Sequence, residues 1–191
     1  MSEQQQDKGK GAFRKAWDAQ KKQAKKHNTK PSSKTKLHPR NPHNGPYNLD
    51  ELVKSVPELE EYITLNVKGE KTVKFAEPQA VLLLNKGLLL TYYDLEFWEI
   101  PEGFLCPPVP GRADYIHYMS DLLAGSNFGR MPKGDKVTCL DIGVGGNCIY
   151  PIIGSHAYGW NFIGSDTDTR AKKSATDIVA NNKRLKGKVE I

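Results

Sequence analysis

Long apolar runs are missing from this chain. The most hydrophobic stretch, Ala80–Leu90, is interrupted by Asn85 and Lys86 and falls short of the ~20 residues that cross a bilayer. No apolar segment follows the first methionine, where Gln and Lys stand instead, so no secretory leader is expected. Cysteine is scarce. The three residues Cys106, Cys139 and Cys148 form no C-x-x-C pair, and none has a histidine at metal-ligand spacing. That excludes a disulfide framework and a zinc knuckle, and it predicts reduced thiols in a cytoplasmic protein. Internal repeats are absent as well.

Positive charge is present but unevenly placed. Residues 1–40 hold 12 Lys/Arg against 3 Asp/Glu, whereas the remaining 151 residues hold 16 against 19. The formal net charge of +6 is therefore an N-terminal property. So basic a segment, with so few apolar residues, does not bury enough surface to fold alone. Residues 1–36 read as a disordered basic tail, with a nascent helix near Phe13–Lys26. The tail is either solvated or an arm for nucleic acid, since clustered Lys neutralises phosphate and releases counterions.

Beyond it, Leu37–Tyr47 contains three prolines and one glycine and is not helical. Asn48 or Asp50 is placed to cap a helix over Leu49–Val56, and Pro57 to open another helix with Leu59, Tyr62 and Ile63 inward. Thr64–Val67 and Thr72–Phe75 read as a hairpin, Glu77–Tyr93 as a helix, and Pro107–Pro110 as extended chain. Arg112–Leu123 reads as a helix with Tyr115, Ile116, Met119, Leu122 and Leu123 on its apolar positions. Tyr92, Tyr93, Phe97 and Trp98 form an aromatic cluster that reads as core, with base stacking as the alternative.

At Lys136 the pattern changes. Val137–Ile142 reads as a strand, Gly143–Asn147 as a turn and Cys148–Ala157 as a short helix. Asn161–Ser165 is a second strand, Thr169–Leu185 an amphipathic helix, and Lys188–Ile191 the start of a third strand. Strand–helix–strand–helix–strand predicts an α/β fold with a parallel, doubly wound sheet. In such sheets ligands bind beyond the carboxyl ends of the strands. Gly143 and Gly145 let backbone approach a ligand. Asp141 closes the first strand, and Asp166 closes the second with a carboxylate suited to ribose hydroxyls. A dinucleotide fingerprint would need glycine where Cys148 stands, which weakens a nicotinamide reading. S-adenosylmethionine sites tolerate that change. A structural turn with no ligand remains the competing reading.

Asp141-Ile-Gly-Val-Gly-Gly-Asn-Cys-Ile-Tyr-Pro-Ile-Ile-Gly154 closely resembles motif I of the bacterial 23S ribosomal RNA adenine-N6-methyltransferase F family. His38–Tyr47 and Pro110–His117 resemble the same family, and the likeness runs from about Leu37 to the end. It implies a Rossmann-like class I methyltransferase sheet, incomplete in this chain, behind a mainly helical N-terminal region. The organisation expected is a tail over 1–36, a helical RNA-binding region over 37–134, and the first part of the methyltransferase domain over 135–191.

The implied cofactor is S-adenosyl-L-methionine and the implied partner is 23S ribosomal RNA. The resemblance places Arg112 on the cofactor carboxylate, Gly143 at its amino-acid end, Asn147 in the same pocket and Asp166 on the ribose, with Asp141 and Gly145 completing the turn. The alternative for Arg112 is a surface ion pair with Asp114 or a neighbour. His38, Arg40, Asn41 and His43 would face RNA; a plain proline-rich linker is the alternative. Enzymes of this class activate adenine with an Asn-Pro-Pro-Phe turn, and no Asn-Pro-Pro occurs here. The expectation is a truncated chain that binds without turning over, with no catalytic residue of its own. A non-catalytic RNA-binding module is the alternative function.

Overall fold

The computed structural model describes residues 37–191, so the expectations for the tail, including its helix near Phe13, lie outside the described residues. Leu37–Ile191 packs as one unit. Its helical half begins with α1, Leu49–Ser55, where the Asn48 side chain accepts a hydrogen bond from Glu51 N at 3.3 Å. Asp50 and Glu51 in the first turn and Lys54 in the last complement the helix dipole. A 3-10 turn, Pro57–Tyr62, leads into an antiparallel hairpin of β1, Ile63–Leu65, and β2, Lys71–Val73. The hairpin is shorter than the sequence pattern suggests, because Asn66 folds the chain early. Its Oδ1 accepts from Lys68 N and Glu70 N at 2.8 and 3.0 Å.

Helix α2, Pro78–Tyr92, buries Leu83, Leu84, Leu88 and Leu89. Asn85 lies inside that helix and is itself buried. Its Nδ2 donates to Val81 O at 2.8 Å, and its Oδ1 accepts from Val109 N at 3.1 Å. That bond satisfies the first amide of α3, which runs Val109–Gly125 rather than starting at Arg112. Proline at 110 does not prevent this, since a first-turn residue needs no N–H. The earlier start also corrects the buried face: Val109, Ala113, Ile116, His117 and Ser120 point inward, while Tyr115 and Leu122 are exposed.

The second sheet is parallel, in the order β3, Thr138–Ile142; β4, Asn161–Ser165; β5, Val189–Glu190. Helix α4, Ile149–Tyr158, and helix α5, Thr169–Ala180, are the two crossovers. Asp168 caps α5 by accepting from Arg170 N and Ala171 N at 2.7 and 3.3 Å. Helix α5 ends at Ala180, short of the expected Leu185, because Asn182 leaves the helix to tie down another segment. Its Oδ1 accepts from Glu96 N and Phe97 N at 2.7 and 3.1 Å, and its Nδ2 donates to Phe97 O at 2.8 Å. A single core joins the helical half and the sheet, running from Leu52 and Leu88 through Trp98 and Ile116 to Ile152, Phe162 and Ile178. The aromatic cluster belongs to it: Tyr93 and Trp98 are buried, and Tyr92 and Phe97 pack against them. No described helix is long and apolar enough to cross a membrane.

Candidate cofactor site

The site is built where β3 ends. Gly143 N and Val144 N both donate to Ser165 O, at 2.8 and 2.9 Å, so the turn is fastened to the end of β4. Gly143 and Gly145 have φ of +82° and +65°, conformations that cost an L side chain free energy. A Cβ on Gly143 would meet nothing within 4 Å, so the strand end opens onto free space there.

Asp166 is locked onto the same turn. Its Oδ2 accepts from Gly145 N at 2.9 Å and its Oδ1 from Asp168 N at 2.9 Å. The Asp168 amide first, and the Gly145 amide next, hold this carboxyl below the usual carboxylate range. Each oxygen still has a lone pair to offer. Asp141 shows the opposite behaviour: burial, and then the neighbouring Asp166 charge, push its pKa up. Its Oδ2 is buried and has no hydrogen-bond partner among the described residues. A carboxylate oxygen is seldom left in that state, and Oδ2 stands open to a hydrogen-bond donor.

The turn is braced from behind. Trp98 Nε1 donates to Asn147 O at 2.9 Å, and Ser174 Oγ donates to Gly146 O at 2.7 Å. The Asn147 Oδ1 accepts from Ile149 N at 3.1 Å, which begins α4 after Cys148 in the left-handed region at φ 53°. Its Nδ2 makes only a long contact, 3.5 Å to Leu105 O, and is available for other partners. Arg112 reaches the site from α3. Its Nη1 donates to the Tyr150 hydroxyl at 2.9 Å, and its guanidinium carbon lies 5.7 Å from the centre of that ring. Arg112 pairs with Tyr150, not with Asp114, whose Oδ1 takes His38 N and Asn41 Nδ2. A cleft of about 500 Å³ runs beside β3, lined by Tyr115, Asp141, Ile142 and Tyr150 among others. That is within the ~300–1,000 Å³ of small-molecule sites.

Asp141, Gly143, Gly145, Asn147 and Asp166 thus meet at one turn, with Arg112 joined to it through Tyr150. Trp98 and Ser174 carry no sequence signal beyond a buried aromatic and a helix-face serine. Tyr150 stands in the Cys-Ile-Tyr-Pro stretch, which could have marked it. Among the described residues, no group of three or more His, Cys, Asp or Glu could hold a metal ion.

The orientation of His38, Asn41 and His43 is a correction. Polar residues beside prolines were expected to face RNA, yet all three are buried. His38 Nε2 bonds Asp121 Oδ2 at 2.9 Å, Asn41 Nδ2 donates to Pro110 O and Asp114 Oδ1 at 2.8 and 2.6 Å, and His43 Nε2 bonds the Tyr93 hydroxyl at 3.0 Å. His38 and Asn41 fasten the segment before α1 onto α3, and His43 ties it to the end of α2. Only Arg40 presents surface, and its Nη2 also holds Asp121.

The sequence profile of a family described as RNA methyltransferase matches residues 31–191. Ribosomal RNA large subunit methyltransferase F of Cytophaga hutchinsonii is 52% identical over 161 residues, covering 84% of this chain and 50% of that protein. The same-named protein of Desulfotalea psychrophila is 52% identical over 168 residues, covering 88% and 54%. The chain spans about half the length of these curated relatives. Among solved structures, the N-terminal domain of human METTL16 in complex with SAH superposes with a TM-score of 0.69 at 29% identity, covering 81% of this chain and 58% of that one. The human METTL16 catalytic domain bound to a MAT2A 3′UTR hairpin gives the same TM-score and identity, over 81% and 52%.

Proposed function

The chain belongs to this RNA methyltransferase family, and on that premise we propose that its glycine turn holds S-adenosyl-L-methionine for methyl transfer to the N6 of an adenine in 23S ribosomal RNA. One observation carries the cofactor half of the reading. The turn is fixed to a charged Asp166, while Asp141 Oδ2 is left buried and without a partner. The cofactor, when bound, supplies an electrophilic methyl group. The chain supplies the grip. Asp166 accepts from ribose hydroxyls through the lone pairs its two backbone amides leave free. Arg112 spends one N–H on Tyr150 and keeps four for the cofactor's carboxylate, a pairing to which a guanidinium fork is suited. Asn147 Nδ2 and the open backbone at Gly143 are assigned to the same end of the cofactor, the first for its long 3.5 Å contact to Leu105 O and the second for its free space. The RNA half is supported by the family, by the relatives' names and by the RNA-bound human neighbour.

Calorimetric titration with S-adenosylmethionine tests the reading. Saturable binding is expected, with at least ~10-fold loss in Asp166→Ala, the effect of removing a charge-assisted hydrogen bond of ~1.5–3 kcal/mol. Equal affinity in wild type and Asp166→Ala would refute the assignment of this turn.

A further inference from the structure

A second cleft, of about 350 Å³, opens at the far end of α4 from the glycine turn. The ten residues of α4 set the two about 15 Å apart. Its lining includes Arg40, Tyr92, His117, Lys133, His156 and Tyr158. We propose that this cleft receives one unstacked nucleotide of a single-stranded RNA segment, with its base against Tyr92 and its phosphate at Lys133. The inference rests on the reading that this chain meets RNA, but it uses none of the cofactor residues.

His117 carries the argument. It is 5% exposed, and its Nε2 has no hydrogen-bond partner among the described residues. Its other nitrogen, Nδ1, lies 2.7 Å from the Tyr158 hydroxyl. That hydroxyl oxygen also accepts from Arg40 Nε at 3.1 Å. The arrangement that uses the hydroxyl proton has Tyr158 donating to Nδ1, which leaves the ring's own proton on Nε2. Burial, with His38 and Arg40 nearby, keeps the imidazole neutral by lowering its pKa to about 4, against the smaller pull of Asp114 and Asp121. The outcome is a buried N–H donor with nothing to receive it, in the wall of a cleft. His156 Nδ1, in the same wall, is also unpartnered and lies 3.8 Å from Asp94 Oδ2, a carboxylate that Arg184 already holds at 2.6 Å.

A nucleobase answers this chemistry. Its edge offers carbonyl acceptors beside N–H donors, and its face stacks on an aromatic ring. Tyr158 already has Trp160 stacked on it at 4.8 Å, whereas the half-buried Tyr92 has no stacked ring, its aromatic neighbour His43 lying at 71° to it and 5.2 Å away, so Tyr92 is the ring left for stacking. Lys133, exposed at the rim, supplies the cation for a phosphate.

The test is imidazole NMR of the full chain, with resonances assigned through His117→Gln and His156→Gln, titrated with uridine and adenosine 5′-monophosphates. Saturable shifts at His117 and His156 are expected. Affinity should fall about tenfold in Tyr92→Ala, within the range for loss of one base–aromatic stack, and should also fall in Lys133→Ala. No histidine shift at millimolar nucleotide would overturn the proposal, as would the same shift from inorganic phosphate alone or affinity unchanged in both variants. S-adenosylmethionine binding that persists while the nucleotides leave the histidines unmoved would sink only this inference. The converse result would sink the cofactor reading and leave this one standing.

Discussion

Two carboxylates on one turn have opposite fates because their surroundings differ. Asp166 keeps its charge through backbone amides, whereas Asp141 is half-buried with Oδ2 unpartnered and its pKa raised. Both were visible in the sequence as acidic residues at strand ends. The buried histidines were not, since a polar residue between prolines reads as exposed. What turned His38, Asn41 and His43 inward is a set of hydrogen-bond partners about 50 to 80 residues away, on α3 and at Tyr93, that no local pattern encodes. Their burial has a pH consequence. His43 and His117 both have pKa values lowered to about 4, chiefly by burial. Between the unfolded value near 6.5 and about 4, the unfolded chain binds more protons, so stability falls as pH falls through that window. The loss approaches on the order of 3 kcal/mol per imidazole at its lower end. Urea melts at pH 7.5 and 5 should show a lower midpoint at pH 5, and His43→Gln should reduce the difference. Midpoints independent of pH across this window would show that these rings are not buried neutral.

At the level of elements, the parallel strands and the glycine turn follow from their sequence period, and β4 falls on the predicted residues. Helix limits did not. The start of α3 depends on Asn85 receiving Val109 N, and the end of α5 depends on Asn182 bridging to Phe97; both are long-range bonds. Close packing of α4 on β4 was equally hidden. A Cβ at Gly154 would overlap the Phe162 ring and approach Trp160 Cε3 to 3.5 Å. Both rings are buried, at 4% and 1% exposure, and have little room to move. Overpacking of this kind costs ~1–3 kcal/mol, against the ~1 kcal/mol that alanine gains over glycine in helix propensity. Gly154→Ala should therefore lower Tm by several degrees while leaving far-UV circular dichroism unchanged. A Tm at or above wild type would mean that propensity wins and the Phe162 ring can turn aside.

For the whole molecule, the separation of charge was fully legible. The unit Leu37–Ile191 holds 17 Lys and Arg against 19 Asp and Glu, while residues 1–36 hold 11 against 3. Within the folded unit, several basic groups are already committed: Arg40 to Asp121, Lys71 to Asp50 and Arg184 to Asp94. On the proposed reading, attraction for polyanionic RNA therefore falls mainly to residues 1–36, where the excess of Lys and Arg over Asp and Glu lies. Each cation that neutralises a phosphate releases a counterion and adds about 0.7–0.9 to the slope of log affinity against log salt. A chain lacking residues 1–36 should thus bind 23S rRNA fragments more weakly at low salt and with a shallower slope. The two binding curves should converge as salt is raised. The nucleotide cleft at Lys133 would survive the deletion, because it belongs to the unit from Leu37 onward. Fluorescence anisotropy over a salt series separates the contributions. An unchanged slope after deletion would place the RNA-attracting charge on the folded unit, whose remaining lysines would then have to supply it.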